Sequence, residues 1–307
     1  MRIPFLRFFQ IALAILSFLL IERFCHQKTG GFQITKITSD HPFNPRWETP
    51  APSDTELEKT KALLNQRYTF FGYGGQAYVF LSEDGNTVLK LFKHHHLRFP
   101  SWVKKIPLPR TLNRVRNKWV HRKNEKFELF FDSCKIAHDD FKEQTGLIYL
   151  HLNRTDYLKQ HMTIIDKLGI EHSIDLDQID FALQHRARLT KKHFKNLKKN
   201  QAEEMAKASI DSLLNMMVER SIKGIADRDP NLRRNCGFIG TKAVEIDLGS
   251  YTRNETLKIP FIGKTDIYQK SLQLKKMVSK RYPELSPYLE KRLQEILYSQ
   301  ETATPSL

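Results

Sequence analysis

Four short stretches of a 307-residue chain fall in one order and constrain its fold. GYGGQAYV runs from Gly72 to Val79, TVLKLFK surrounds Lys90, DRDPNLRRN runs from Asp227 to Asn235, and VEIDLGS surrounds Asp247. Tyr68 to Phe80 is aromatic and β-branched around three glycines, and Glu83-Asp84-Gly85-Asn86 turns it into a further strand, Val88 to Phe92, which predicts a hairpin. In the back half, Met205, Ile210, Leu213, Leu214 and Met217 mark a helix that begins near Gln201 and ends near Lys223-Gly224. A polar loop follows, and then a short apolar-alternating strand, Ala243 to Ile246. Helices and strands are both expected, as in an α+β chain.

The remaining segments fill in this outline. Phe127, Phe130, Phe131, Cys134, Ala137 and Phe141 recur at helical steps. Gly146 to Leu152 reads as a strand or a helix end, while Met162 to Leu168, Ser173 to Leu176 and Asp180 to Gln184 read as strands, with a polar turn at Asp177-Gln178. Arg186 to Lys199 is a basic run, and two helices are expected near Asp266 to Lys280 and Leu285 to Ser299. Ser53 or Asp54, followed by Glu56 and Glu58, starts another short helix. With 40% hydrophobic residues the chain can bury a core, which argues against disorder throughout. No internal repeat is visible.

Arg2 and Arg7 precede an apolar run, Phe8 to Ile21, that is broken only by Gln10 and Ser17 and closed by Glu22 and Arg23. As a helix this run spans about 21 Å, short of a hydrocarbon core of roughly 30 Å unless Ile3 to Leu6 extend it. An uncleaved anchor is expected. A signal peptide is the rival, although small residues suited to cleavage are missing after the run, and a buried soluble helix is a third reading. Basic residues flank both ends, so charge does not orient it. Gly30-Gly31 and Pro42, Pro45, Pro50 and Pro52 then read as a flexible tether from Gln27 to Ser53. The resulting organisation is 1–27 anchor or signal segment, 28–66 linker and short helix, 67–185 first lobe, 186–300 second lobe and 301–307 tail.

The formal charge of +16 favours polyanionic neighbours. Residues 93–126 concentrate it, with eleven Lys and Arg against the single acid Glu125 and with Trp102 and Trp119 interleaved. This insertion reads as a solvated basic surface or as a contact for anionic lipid headgroups, the latter favoured over RNA by the nearby apolar run. Cys25, Cys134 and Cys236 stand far apart without a CxxC or Cys/His cluster, which signals neither a disulfide framework nor a zinc site.

Gly72, Gly74 and Gly75 lie where one strand turns into the next, and Ala77 takes the place of a further glycine. Lacking side chains, such residues let backbone amides approach phosphate oxygens, although a plain hairpin turn has the same composition. Val79 would close over an adenine ring, or is an ordinary strand valine. Lys90, carried among Val88, Leu89, Leu91 and Phe92, needs an anionic partner. Phosphate together with a helix carboxylate would serve, with Glu128 the first choice and Glu125 and Asp132 the substitutes; an edge lysine facing water is the plainer alternative. Asp229 is the candidate base that orients an attacking hydroxyl, with Asp227 in reserve, and Asn235 offers an oxygen to magnesium. Asp247, at a strand end beside Gly249, suits a second magnesium ligand.

These residues resemble the protein-kinase superfamily from about Tyr68 to Tyr251, matching its glycine loop (Gly72, Gly74), lysine strand (Lys90), catalytic loop (Asp229, Asn235) and DFG-type magnesium site (Asp247). The resemblance implies a bilobal protein-kinase-like fold behind an N-terminal hydrophobic helix. Its first lobe would be a small antiparallel sheet and its second mainly helical, with ATP and Mg²⁺ in the cleft and a hinge near Gln184 to Ala187. Departures accompany it: Asp227 stands where a histidine is usual, Asp229 and Asn235 are six residues apart instead of five, and no Ala-Pro-Glu follows Asp247. The nearer analogy is to atypical and small-molecule kinases. The expected function is a single-pass membrane-tethered phosphotransferase with its kinase-like domain on the cytoplasmic side, acting on a protein or small-molecule hydroxyl. The alternatives are an inactive pseudokinase serving as an interaction module and a basic lipid- or nucleic-acid-binding protein.

Overall fold

In the computed structural model, which describes residues 2–38, 41–50, 52–99 and 101–298, the apolar run lies within one uninterrupted helix, α1 (Arg2–Thr29). No glycine occurs before Gly30, and Glu22 and Arg23 do not stop the helix. Its Arg7–Thr29 stretch of 23 residues, which contains an 18-residue window of mean hydropathy 1.9 with none of it buried, reaches about 34 Å. The helix thus runs eight residues beyond the apolar run that ends at Ile21. The helix is long and apolar enough to cross a membrane, a test that signal sequences also pass.

The segment read as a flexible tether is packed. It contains α2 (Ile34–Ile37) and a 3-10 turn at Pro45–Trp47, and it buries Phe32, Ile37 and Trp47. Phe32 meets the rings of Tyr78, Phe80 and His172 edge-on, with centroids 5.2–5.6 Å apart. Its apolar residues are too irregularly spaced to show a period, yet Phe32, Ile37 and Trp47 are all buried. Helix α3 (Asp54–Leu64) starts as read, with Ser53 Oγ accepting from the Glu56 amide and Glu56 accepting from the Ser53 amide.

Strands β1 (Tyr68–Tyr73), β2 (Ala77–Ser82) and β3 (Thr87–Phe92) form the expected antiparallel hairpins, with a bulge between Phe70 and Gly72. A one-turn helix, α4 (His94–Leu97), leads toward α5 (Arg110–Asp140). The basic insertion and the amphipathic helix are thus not separate: residues 110–126 are the first half of one 31-residue helix. The apolar period shows only from Phe127 onward because the first half leaves its apolar residues exposed. After α6 (Lys142–Thr145) come β4 (Leu147–His151), β5 (His161–Ile165), β6 (Glu171–Asp175) and β7 (Phe181–His185). The seven strands make one sheet in the order β4-β7-β3-β2-β1-β5-β6. It is not wholly antiparallel, since β5 runs parallel to β1 through Tyr68 and Thr69.

The remainder is mostly helical. Strand β8 (Arg188–Leu189) precedes α7 (Thr190–Lys199), which occupies the basic run and buries His193, Phe194 and Leu197. Helix α8 (Glu203–Ile222) buries Ile210, Leu213, Leu214 and Met217, and the chain leaves it through Gly224 at φ +64°, a left-handed conformation that suits glycine. Four short strands follow, β9 (Ile225–Asp227), β10 (Cys236–Ile239), β11 (Lys242–Glu245) and β12 (Tyr251–Arg253). Helix α9 (Pro260–Arg281) begins six residues before the expected Asp266, with Pro260 in its first turn, and α10 (Ser286–Tyr298) closes the described chain. Ser299 and the tail 301–307 lie outside the described residues.

Two units are distinguished, Met1–Lys123 with His151–Ala182 and Asn124–Leu150 with Leu183–Leu307. Residues 124–150, expected in the first lobe, thus group with the back half. Ser133 of α5 shows why: its hydroxyl donates to Leu248 O and accepts from the Tyr251 amide, both at 2.6 Å.

Candidate functional site

In the first unit, strand register brings the front-half candidates onto one face. Val79 pairs with Lys90, Gly72 with Val79 and Ala77 with Phe92. Because side chains alternate along a strand, Ala77, Val79 and Lys90 share the half-open face of the sheet, while Tyr78, Phe80, Leu89 and Leu91 fill the buried face. Gly74 and Gly75 form the turn, whose Gly74 amide donates to Ala77 O at 2.9 Å. Neither backbone angle nor packing requires glycine at 72, 74 or 75: none has a positive φ, and a Cβ added there would meet no atom within 4 Å. What their small size leaves is room for something to approach the backbone.

Two residues that the sequence reading did not single out hold this turn. Lys93 Nζ donates to Gly74 O at 2.7 Å and lies 4.7 and 4.4 Å from the ring centres of Tyr73 and Tyr78, and His96 Nδ1 is 2.9 Å from Gly75 O. Burial, with Lys36 nearby, lowers the Lys93 pKa to about 8. Lys93 was counted only as the start of a basic run; its position one residue past a strand end was the available signal.

In the second unit, two strand pairs assemble the back-half candidates. The β10–β11 hairpin pairs Cys236 with Glu245, and one step further the Ile246 amide donates to Asn235 O at 2.7 Å, so Asn235 sits beside the start of Ile246-Asp247. The β9–β12 pair sets Asp227 opposite Tyr251. Arg228 ties the DRD loop to the segment after Asp247, its amide donating to Ser250 O at 2.9 Å and its guanidinium to Ser250 O and Gly249 O at 3.3 Å. Asn235 Nδ2 donates to Asp229 O at 2.8 Å and to Asp229 Oδ2 at 3.3 Å. Asp229 and Asn235 are therefore neighbours, and Asp247 follows the residue whose amide bonds the Asn235 carbonyl. Between Asp229 and Asn235 the loop makes a turn in which the Asn235 amide reaches Asn231 O, while Gln273 of α9 bonds both Pro230 O and the Leu232 amide.

The two aspartates of DRD differ sharply. The Asp227 side chain, only 6% exposed, lies 3.6 Å from Arg220 Nη1 and accepts from the Asp229 amide, whereas Asp229 is exposed. Arg220 also pairs with Glu245, whose other oxygen accepts from Tyr251 OH at 2.7 Å. Burial and then the Glu245 charge push the Tyr251 pKa well above its ordinary value. This network was missed; its signal was a charged residue inside each of two apolar patterns, Met216 to Ile222 and Ala243 to Ile246.

Asp247 Oδ1 accepts from the Gly249 amide at 3.0 Å, which fixes the Asp-Leu-Gly turn. With its Nδ2 engaged by Asp229, Asn235 directs its amide oxygen elsewhere, and among the described residues no group donates to that oxygen. One carboxylate and one amide oxygen fit a hard cation that takes its other ligands from phosphates and water. Among the described residues no three His, Cys, Asp or Glu side chains gather as a metal cage. Glu128 lies on the exposed side of α5, one turn from Glu125 and from Asp132. The expected hinge begins with Gln184, buried and donating to Thr145 O at 2.8 Å. Compared with known protein families and with curated proteins, the chain matches none.

Proposed function

We propose that the chain is a magnesium-dependent phosphotransferase of protein-kinase-like fold, held at a membrane by α1, that moves the terminal phosphoryl group of ATP to a hydroxyl. The observation that carries this reading is the gathering of Asp229, Asn235 and Asp247 by two independent strand pairs, in the chemistry such a site needs. The sheet face that carries Gly72, Ala77, Val79 and Lys90, with Lys90 on the third strand beyond a glycine turn, independently fits this reading. The seven-stranded sheet and the helical remainder would be the two lobes.

In this reading the glycine turn admits the phosphates to its backbone, Val79 covers the base, and Lys90 neutralises phosphate charge. Asn235 and Asp247 hold the metal, which would offset charge developing on the transferred group. Asp229 orients the acceptor hydroxyl and takes its proton; Asp227, already committed to Arg220 and to the Asp229 amide, is the poorer choice. The free thiols Cys25, Cys134 and Cys236 suit the cytoplasmic side, where ATP is present.

One observation favours the inactive alternative: Lys93 and His96 already pin the carbonyls of the glycine turn. Thermal-shift titration separates the two readings. ATP with Mg²⁺ should stabilise the protein by about 2.7 kcal/mol at a hundredfold excess over Kd, and neither alone should match the pair. Asp247→Ala should lower ATP turnover by about 100-fold or more. Stabilisation without turnover would identify a docking module, and no response at all would end the proposal.

A further inference from the structure

The basic segment carries more than charge. Trp102, Leu112, Val115 and Trp119 are 61, 54, 53 and 60% exposed. The last three recur at steps of three and four on α5 and so form one stripe along its first half. Arg116 holds the preceding 3-10 turn, Ser101–Lys105, against the same helix by donating to Val103 O at 3.2 Å and to Ile106 O. Trp102 is thereby kept near the stripe. Arg114, Lys118 and Arg122, at steps of four, run along one side of the helix toward the stripe, and among the described residues none of these three has a carboxylate partner. A solvated basic face would account for the arginines and the lysine but not for Trp119 exposed in line with Leu112 and Val115, nor for Trp102 exposed in the turn that Arg116 holds.

We infer that this face is a second membrane contact, in which Trp102, Leu112, Val115 and Trp119 enter the interfacial layer of a bilayer while the basic row meets anionic headgroups. Apolar side chains with tryptophan on one side and arginine and lysine on the other are what an in-plane interfacial helix requires. Charge complementarity selects an anionic surface, since residues 93–126 hold eleven cations against one acid. Nucleic acid would pair with the cations but would leave the aliphatic stripe in water. The inference extends the membrane reading of α1 and is independent of the phosphotransfer chemistry.

The three tryptophans make the test direct, because Trp47 is only 4% exposed and serves as an internal reference. Full-length protein is reconstituted into vesicles of brominated phosphatidylcholine, with or without phosphatidylserine, and tryptophan emission is recorded. With phosphatidylserine, emission should shift to the blue and be quenched. A Trp102→Phe/Trp119→Phe double variant should keep only the unquenched Trp47 signal. A Leu112→Asp/Val115→Asp variant should still float with the vesicles through α1, retain wild-type helicity by circular dichroism and lose the quenching. Wild-type emission that stays unquenched while the protein floats would overturn the inference. So would emission that responds to single-stranded RNA and not to vesicles. Failure to float with neutral vesicles would count against α1, and quenching in the anionic vesicles would then still decide for or against docking.

Discussion

At the scale of single residues, buried charge marks the two places where the chain is tied most firmly. In the second unit Arg220 is shared between Glu245 and Asp227 and so joins α8 to both strand pairs that carry the catalytic candidates. In the first, Asp180 Oδ2 lies 3.0 Å from His41 Nε2 and 2.8 Å from His94 Nε2. Burial alone would raise the Asp180 pKa, but the two imidazoles lower it to about 2. For His41, burial opposes the charged ring and the Asp180 carboxylate outweighs it, so its pKa is raised above 6.5, with Arg98 opposing weakly. A histidine whose folded pKa is raised contributes stability that is complete below the unfolded value and lost as pH rises through the folded one. Melting temperature should therefore fall from pH 6 toward pH 8, and His41→Asn should flatten that slope. An equal slope in the variant would show that His41 carries no linkage. None of this was legible in the sequence, where His41 sits in a proline-rich stretch that carries no period and Asp180 begins a strand 139 positions away.

At the scale of elements, the hairpins around Gly74 and Gly85, helix α8 and its end at Gly224 were legible because alternation, helical period and glycine each act locally. What escaped depended on partners far along the chain. The burial of Phe32, Ile37 and Trp47 leaves no pattern in residues 28–53, and the continuity of α5 is hidden because its first half exposes its apolar residues. The candidate site divides in the same way: its residue types were readable, whereas the commitment of Asp227 to Arg220 and the clamp of Lys93 on the glycine turn were not. The turn also offers a clean separation of structure from function. Since Gly74 has open space around it and no positive φ, Gly74→Ala should change stability by no more than about 0.5 kcal/mol. If the turn holds phosphates, the added methyl obstructs them, and the affinity for ATP with Mg²⁺ should fall by about tenfold, or ~1.4 kcal/mol. Urea denaturation and thermal-shift titration measure the two effects. Unchanged affinity would remove the glycine turn from the proposed site.

At the scale of the whole molecule, the length of α1 bears on whether the chain can be held in a bilayer. The apolar run alone is too short to span a bilayer, but the helix continues through Glu22 and Arg23 to Thr29, and the additional two turns make up the difference. Those two charges lie within a turn or two of its end, where long side chains reach the headgroups instead of stopping insertion. Immediately after α1, Lys36 Nζ donates to Gly31 O and Tyr78 OH donates to the same carbonyl, so the helix leads into packed structure without a free linker. A signal peptidase requires an extended, accessible segment after the apolar run, and the residues around Cys25 and His26 are helical here. The chain should therefore keep its N-terminus. The intact mass of the membrane-associated protein should include residues 1–29, and the protein should stay in the membrane pellet after alkaline carbonate extraction. Replacing Leu13 and Leu16 with aspartate, two charges near the centre of the span that cost about 2.5–3.5 kcal/mol each, should release it to the supernatant. Recovery of a chain shortened by some 25 residues would identify α1 as a cleaved signal, and would leave any remaining hold on the bilayer to the tryptophan-bearing face of α5.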